Sequence, residues 1–231
     1  MPRTPPFLNE RLAEAARYAL MRRLLPAIRH NIAGLLQPVG MLAAMLERRM
    51  TAVAPDLVQL GKSSQSLNTL SREAAATSLN LMNWLAPRDN DLVDVRSAVE
   101  ESLGLMTTEL SFRGFAVANK TTDVQMELPR GMLRSVFTAS LIALTDRVEG
   151  AAKVVVTAGM TDTDGRIYLK LALESGGSPE LLVQGERMQT YRSLDWDDVQ
   201  ALADAEGISL SHGDRCVQLF YSGVGNRPAD A

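Results

Sequence analysis

The stretch MRRLLPAIRHNIAGLLQPVGMLAAML, residues 21–46, carries the pattern that decides the fold of the first part of the chain. Its apolar residues follow one another at alternating spacings of four and three, which places them on one side of an α-helix as an a/d heptad seam. The residues of this seam are Met21, Leu25, Ile28, Ile32, Leu35, Val39, Leu42 and Leu46. The stretch therefore predicts a long amphipathic helix.

A second helix of the same kind is predicted after the break at residues 51–55. Leu60, Leu67, Ala74 and Leu81 recur there every seven residues. Two such helices joined by a short turn form an antiparallel hairpin, and one hairpin cannot cover its own apolar seams on all sides. Burial against a second copy gives a four-helix bundle on a two-fold axis, so we expect a homodimer.

The composition predicts a globular protein of one or two domains. The 231 residues are 46% apolar and 22% charged, which is enough to bury a core. The net charge is −3, and both signs are interspersed along the chain, so we expect no strongly basic face. Without such a face, neither a nucleic acid nor a membrane is expected as a partner. The single cysteine, Cys216, fits a reducing, cytoplasmic compartment. Charges recur every few residues near the N-terminus and leave no unbroken apolar run. We therefore expect neither a signal peptide nor a membrane span there.

A charged, proline-containing segment at residues 86–91 marks the predicted domain boundary. We expect a helical domain at residues 1–87 and a second domain at residues 88–231. Helices and strands alternate in the second domain, which predicts an α/β two-layer sandwich and makes the whole chain α+β. The predicted helices are 96–110, 129–148 and 194–206, and the predicted strands are 93–95, 115–119, 124–128, 152–158, 166–173, 208–211 and 216–221.

His30 is the candidate reactive residue. In the heptad frame it lies at position f, roughly opposite the seam, so its imidazole is expected to face solvent. Pro26 and Gly34, one turn to either side, are both costly inside a helix, but close approach by another protein would require such residues. An ordinary surface histidine is the alternative interpretation.

The segment from Arg29 to Leu42, RHNIAGLLQPVGML, resembles the H-box helix of the dimerisation and histidine-phosphotransfer domain of bacterial two-component histidine kinases. The resemblance implies a catalytic site of His30, as phosphoacceptor, with Asn31 beside it. Asn31 stands where the family usually has Asp or Glu, and an amide cannot act as a general base, so autophosphorylation is not expected. The partner-binding residues expected around the histidine are Pro26, Ala27, Arg29, Ala33, Gly34 and Gln37.

The order of elements after residue 91 also resembles the ATP-binding domain of histidine kinases. The family binds Mg²⁺ through an asparagine on the helix that corresponds to residues 133–146, whereas Ala139 and Ala143 occupy the two candidate positions here. ESGGS at residues 174–178 is only a partial match to the family's adenine loop, and GVG at residues 223–225 is interpreted as tail. The chain is therefore similar to histidine phosphotransferases of the ChpT type, which combine a dimeric hairpin with a degenerate kinase ATPase domain.

The resemblance implies a phosphorelay protein that shuttles a phosphoryl group between receiver-domain aspartates of response regulators through His30. It would need no cofactor of its own, because the partner receiver would hold the Mg²⁺, and it would be a phosphoryl carrier rather than an ATP-dependent kinase. The alternative is an inert pseudokinase adaptor that docks a receiver or another regulator without transfer. A kinase with an unusual nucleotide site is disfavoured by the missing asparagine.

Two further features have structural interpretations. His212 is predicted in a turn between two strands, because the following Gly-Asp pair is typical of turns. The run LDWDD at residues 194–198 begins a predicted helix, where carboxylates cap free N–H groups. Metal binding by these aspartates is the less favoured interpretation.

Overall fold

The structure is a computed structural model that describes residues 6–85, 91–121, 126–162, 165–175, 180–181 and 193–221. The chain forms two compact units, one of residues 24–86 and one of residues 1–23 together with residues 87–231. Helix α1 (Pro6–Met50) contributes to both units. This grouping differs from the sequence-based division in one respect, because residues 1–23 belong with the α/β part.

The unit of residues 24–86 is the predicted helical hairpin. It consists of the C-terminal part of α1 and helix α2 (Leu57–Leu85). The carboxylate of Asp56 accepts hydrogen bonds from the backbone N–H groups of Val58 and Gln59, at 3.0 and 3.1 Å, and so caps the start of α2. Arg49 of α1 donates to the hydroxyl of Ser63 of α2 at 3.0 Å.

The predicted seam of α1 is correct from Ile28 onwards. Ile28 is buried, and five further seam residues are half-buried in the single chain: Ile32, Leu35, Val39, Leu42 and Leu46. The first two predicted positions are wrong, since Met21 is 37% and Leu25 is 50% exposed while Leu20 and Leu24 are buried. In this stretch the buried row is Ala13, Ala16, Leu20 and Leu24, at spacings of three and four residues. A helix of 3.6 residues per turn drifts from a strict heptad, so burial there follows different neighbours.

The unit of residues 1–23 and 87–231 is an α/β sandwich. Its elements after α1 are β1 (Leu92–Asp94), α3 (Val95–Phe112), β2 (Phe115–Asn119), β3 (Glu127–Pro129), α4 (Arg130–Met132), a π-helical turn (Leu133–Phe137), α5 (Thr138–Thr145), β4 (Val148–Glu149), β5 (Ala152–Met160), β6 (Ile167–Ser175), β7 (Glu180–Leu181), α6 (Trp196–Ala205), β8 (Ser209–His212) and β9 (Cys216–Tyr221). The α+β class predicted from the sequence is confirmed. The first half of the predicted strand 124–128 lies largely outside the described residues.

The main sheet of this unit has five strands in the order β2-β5-β6-β9-β8. Strand β2 runs parallel to β5, and every other pair in this sheet is antiparallel. Two short two-stranded sheets, β1-β3 and β4-β7, accompany it. One face of the main sheet packs against the helices through fully buried residues, among them Val154, Leu169, Leu171, Val217 and Leu219.

The start of α6 confirms the capping interpretation of LDWDD. The Asp195 carboxylate accepts from the N–H groups of Asp197 and Asp198, and the Asp198 carboxylate accepts from the N–H of Asp195, each at 3.1 Å. The prediction for His212 is wrong in its placement. His212 is the last residue of β8, and its ring stacks on Trp196 at a centroid distance of 4.2 Å.

None of the described helices combines the length and the apolar character that crossing a membrane requires.

Candidate functional site

His30 lies on α1 within the hairpin unit, and its side chain is exposed. The heptad position therefore predicted its exposure correctly. Asn31 beside it is half-buried. Of the six residues predicted to bind a partner, Ala27 is half-buried and the others are exposed: Pro26, Arg29, Ala33, Gly34 and Gln37. The helix thus places all of these residues within three turns.

The imidazole of His30 lies at the surface of α1. Within the described residues, no group forms a hydrogen bond or an ion pair with either ring nitrogen. A neutral imidazole in such a setting has one nitrogen with an available lone pair, which is the form that acts as a nucleophile. The site can therefore react with an electrophile that another molecule brings to it.

Gly34 has no side chain, so the helix surface one turn after His30 carries no side-chain bulk at this position. A Cβ added at Gly34 would meet nothing within 4 Å, so packing in the described chain does not require a glycine there. Glycine in the middle of a helix costs roughly 1 kcal/mol relative to alanine.

Residues 133–145 form the π-helical turn followed by α5. Every residue of α5 is buried, and the two candidate ligand positions, Ala139 and Ala143, are 0% and 1% exposed. Their methyl groups belong to the core and offer no oxygen to a cation. Among the described residues, no group of three or more His, Cys, Asp or Glu side chains could hold a metal ion. Of the segment ESGGS, Glu174 and Ser175 end β6, and residues 176–178, like residues 223–225, lie outside the described residues.

A cluster of four charged residues that the sequence analysis missed ties α1 to the helices of the α/β unit. Arg23 of α1 donates to the Glu109 carboxylate of α3 and, at 3.1 and 3.2 Å, to the Asp146 carboxylate that follows α5. Arg113 donates to Asp146 at 2.6 Å and to the carbonyl oxygen of Thr145 at 2.6 Å. Glu109 and Arg113 are four residues apart, but no local pattern links this pair to Arg23 or Asp146, which lie far from it in sequence.

Electrostatics within this cluster favour the charged forms. Burial alone would raise the pKa of the Asp146 carboxyl, but hydrogen bonds and charge attraction from Arg23, and then from Arg113, hold that pKa below its ordinary value. Burial alone would lower the pKa of Arg23. Hydrogen bonds and charge attraction from the carboxylates of Glu109 and Asp146 more than offset this effect, so the pKa of Arg23 is raised. Asp146 follows the C-terminal end of α5, where a carboxylate is unfavourable by itself. Two arginines compensate for it.

A shallow groove of about 420 Å³ lies between α3 and β2. Its one charged side chain is Glu100, which pairs with Arg96 at 3.0 Å. The groove also contains the Thr107 hydroxyl, which donates to the carbonyl oxygen of Leu103. The described residues that line it include no histidine, cysteine or lysine.

A scan against protein-family models finds no match, and no curated protein sequence matches the chain. Among solved structures, the chain is similar to the histidine kinase AdeS of Acinetobacter baumannii at 17% identity, over 84% of this chain and 98% of that one, with a TM-score of 0.46. It is similar to a bacterial phosphotransferase at 15% identity, over 87% and 94% of the two chains, with a TM-score of 0.33. At 12% identity it is similar to histidine kinase ThkA in complex with response regulator protein TrrA, over 93% and 64%, with a TM-score of 0.39. At this level of similarity, function has to be argued from this chain's own residues.

Proposed function

We propose that the protein is a phosphorelay histidine phosphotransferase in which His30 carries a phosphoryl group between receiver-domain aspartates of response regulators. The supporting observation is the placement of His30, which is exposed on a long helix and has no hydrogen-bond partner among the described residues. Ala33 and Gly34 leave the adjoining helix surface low. A phosphoacceptor that exchanges with another folded domain needs both properties.

The chemistry assigned to His30 is nucleophilic displacement at phosphorus. The lone pair of a neutral ring nitrogen attacks the phosphorus of an aspartyl phosphate, a nitrogen–phosphorus bond forms, and the bond from phosphorus to the carboxylate oxygen breaks. The carboxylate leaves with the electron pair. Transfer to a second receiver aspartate reverses these steps. Mg²⁺ held by the partner receiver would neutralise charge on the phosphoryl oxygens.

Phosphate from another protein fits this chain better than phosphate from ATP. The amide of Asn31 cannot take a proton from the imidazole, so the general base associated with autophosphorylation is lacking. Ala139 and Ala143 are buried and offer no Mg²⁺ ligand at the two candidate positions. Isothermal titration with Mg·ATP should show no measurable binding, whereas a micromolar dissociation constant would support the kinase interpretation.

The proposed dimer would cover the apolar seam of the hairpin. Ile32, Leu35 and Val39 remain half-buried in the single chain, and a second hairpin would cover them. A four-helix bundle formed in this way would hold each His30 on a rigid scaffold, which favours a reproducible approach of the receiver.

The decisive experiment is phosphotransfer from a receiver domain labelled with radioactive phosphate. We expect acid-labile, base-stable label on the wild-type protein and none on His30→Ala, while His30→Ala still binds the receiver. The matched control is His212→Ala, which should keep transfer because His212 stacks on Trp196 in the other unit. Gly34→Leu should weaken both receiver binding and transfer, because it adds bulk to an open surface.

Two results would contradict the proposal in different ways. If His30→Ala accepts as much phosphate as the wild type, His30 is not the acceptor. If the wild type binds several receivers but accepts phosphate from none, the alternative function applies, in which the protein is an adaptor that docks receivers without transfer.

A further inference from the structure

The five-stranded sheet has a second face, opposite the helices, which we call the outer face. Side chains alternate between the two faces along a strand. On β6, Leu169 and Leu171 are fully buried toward the helices, so Tyr168, Lys170 and Ala172 lie on the outer face, where all three are half-buried. Tyr168 and Lys170 keep part of their surface accessible on this face, whereas Val155 of β5, which also lies on it, is 5% exposed.

The register of the strands aligns a row of polar residues across this face. Lys170 of β6 lies opposite Thr157 of β5 and Gln218 of β9, and Lys120 continues the same row because its N–H donates to the carbonyl oxygen of Val156 at 2.8 Å. Lys120 and Lys170 are two strand spacings apart, which is roughly 10 Å. Neither lysine forms an ion pair within the described part of the chain. This row is therefore a polar stripe with two unneutralised cations.

The charge of the outer face is opposite to that of the whole chain. Among the described residues, Lys120 and Lys170 belong to it without a carboxylate partner, while Lys153 pairs with Glu174 at 3.4 Å. The chain as a whole carries a net charge of −3. The register of the strands brings Lys120 and Lys170 to one face. Charge complementarity therefore indicates an anionic partner.

An aromatic row runs beside the cationic row, two residues further along the strands. Tyr168 lies opposite Gly159 on β5 and Phe220 on β9. A Cβ added at Gly159 would lie 2.8 Å from the Tyr168 hydroxyl and 2.9 Å from Cζ, so the ring lies down over the glycine. The guanidinium of Arg166 lies over the Phe220 ring at 5.1 Å. Rings held flat on a sheet present a planar face to a ligand and do not project into a bilayer.

We propose that the outer face binds single-stranded nucleic acid, with phosphates at Lys120 and Lys170 and a base stacked on Tyr168. Single-strand binding combines a cationic track for the backbone with aromatic rings on which bases stack, and sheets that bind RNA carry such rings on neighbouring central strands. Here β6 is the middle strand and β9 is its neighbour. An acidic protein surface would use the lysines but would leave the flat ring of Tyr168 unused. The inference does not depend on the proposed phosphotransfer.

The test is fluorescence anisotropy of the full chain with fluorescein-labelled (dT)15 and (U)15 at low salt. Lys120→Gln/Lys170→Gln should weaken binding on the order of tenfold and reduce the slope of log K against log salt by roughly 1.4, since each single-strand phosphate contact contributes about 0.7. Tyr168→Leu keeps an apolar side chain over Gly159 but loses the planar face. It should weaken binding by about 5- to 150-fold, the range for one stacked base.

Matched controls separate this proposal from its competitors. Tyr168→Phe should bind like the wild type. The double variant Arg48→Gln/Lys62→Gln removes two cations from the hairpin unit. Its dissociation constant should stay within roughly a factor of two of the wild-type value, the range expected for a neutral surface change. Circular dichroism verifies the fold of each variant. The proposal is overturned if neither oligonucleotide binds, or if both double variants lose affinity equally. It is also overturned if Tyr168→Leu binds like the wild type while poly-L-glutamate competes fully, a result that would assign the face to an acidic protein.

Discussion

Replacing Arg23 by methionine tests whether the charged cluster holds the first helix in the α/β unit. Arg23 is the one residue of α1 in the cluster, and it bonds both Glu109 and Asp146. The side chains of these three residues are between 14% and 24% exposed. Methionine keeps an unbranched apolar chain of similar reach but removes the charge and every hydrogen-bond donor. Two carboxylates would then face Arg113 alone.

The magnitude follows from what remains after the substitution. Removing one partner from a fully buried ion pair costs about 3–5 kcal/mol. Here water reaches part of the cluster, and Arg113 still bonds Asp146 at 2.6 Å and approaches Glu109 at 3.7 Å. We therefore expect a loss of about 2–3 kcal/mol in the free energy of unfolding. For a unit of this size, that corresponds to a fall in Tm of roughly 5–10 °C.

Urea unfolding followed by tryptophan fluorescence measures this loss. The chain has two tryptophans, so a Trp84→Phe background leaves Trp196, which is buried in the α/β unit, as the reporter. The matched control is Arg48→Met, an exposed arginine of the same helix, which should change stability by less than about 0.5 kcal/mol. If Arg23→Met and Arg48→Met have the same small effect, the cluster does not hold α1 in place.

The effect of Arg23→Met should depend on pH. The pKa of Asp146 is lower in the folded protein than in the unfolded chain. The stability it contributes is therefore fully present above the unfolded value of about 3.9 and is lost as pH falls through the folded pKa. The difference in stability between wild type and Arg23→Met should accordingly be constant near neutral pH and narrow in acid. An undiminished difference at the acid end, with both proteins still folded at the start of the titration, would count against the role of Asp146.

Two further substitutions test the dimer and the close approach in the sheet. Ile32→Glu should dissociate or unfold the proposed dimer, because a charge in an apolar seam costs several kcal/mol, and light scattering that finds folded wild-type protein as a monomer would refute the dimer. Gly159→Ala should destabilise the α/β unit by roughly 1–3 kcal/mol, since its Cβ would lie 2.8 Å from the Tyr168 hydroxyl. Gly159→Ala should cost much less in a Tyr168→Ala background, and equal costs in the two backgrounds would show that the two residues do not interact.

Local sequence determined the elements of this protein well. Strands β2 and β9 have the bounds that the sequence predicted, because alternation and flanking turn residues act over a few neighbours. The exposure of His30 also followed from its place in the heptad. Local periodicity was wrong at Met21 and Leu25, where the buried residues are Leu20 and Leu24 instead, and at His212, where the strand extends one residue further than predicted. The role of His30 stays a prediction, since reactivity depends on a partner.

Only the tertiary structure decided which distant residues meet. Arg23 bonds Glu109 and Asp146, which lie 86 and 123 residues away, and no pattern in the sequence couples them. Lys120 and Lys170 share one row because hydrogen bonds fix the register of β2 on β5 and of β5 on β6. A shift by one residue in either pairing would send a lysine to the opposite face. Periodicity specifies which side of an element is apolar, whereas register and packing specify which charges become neighbours.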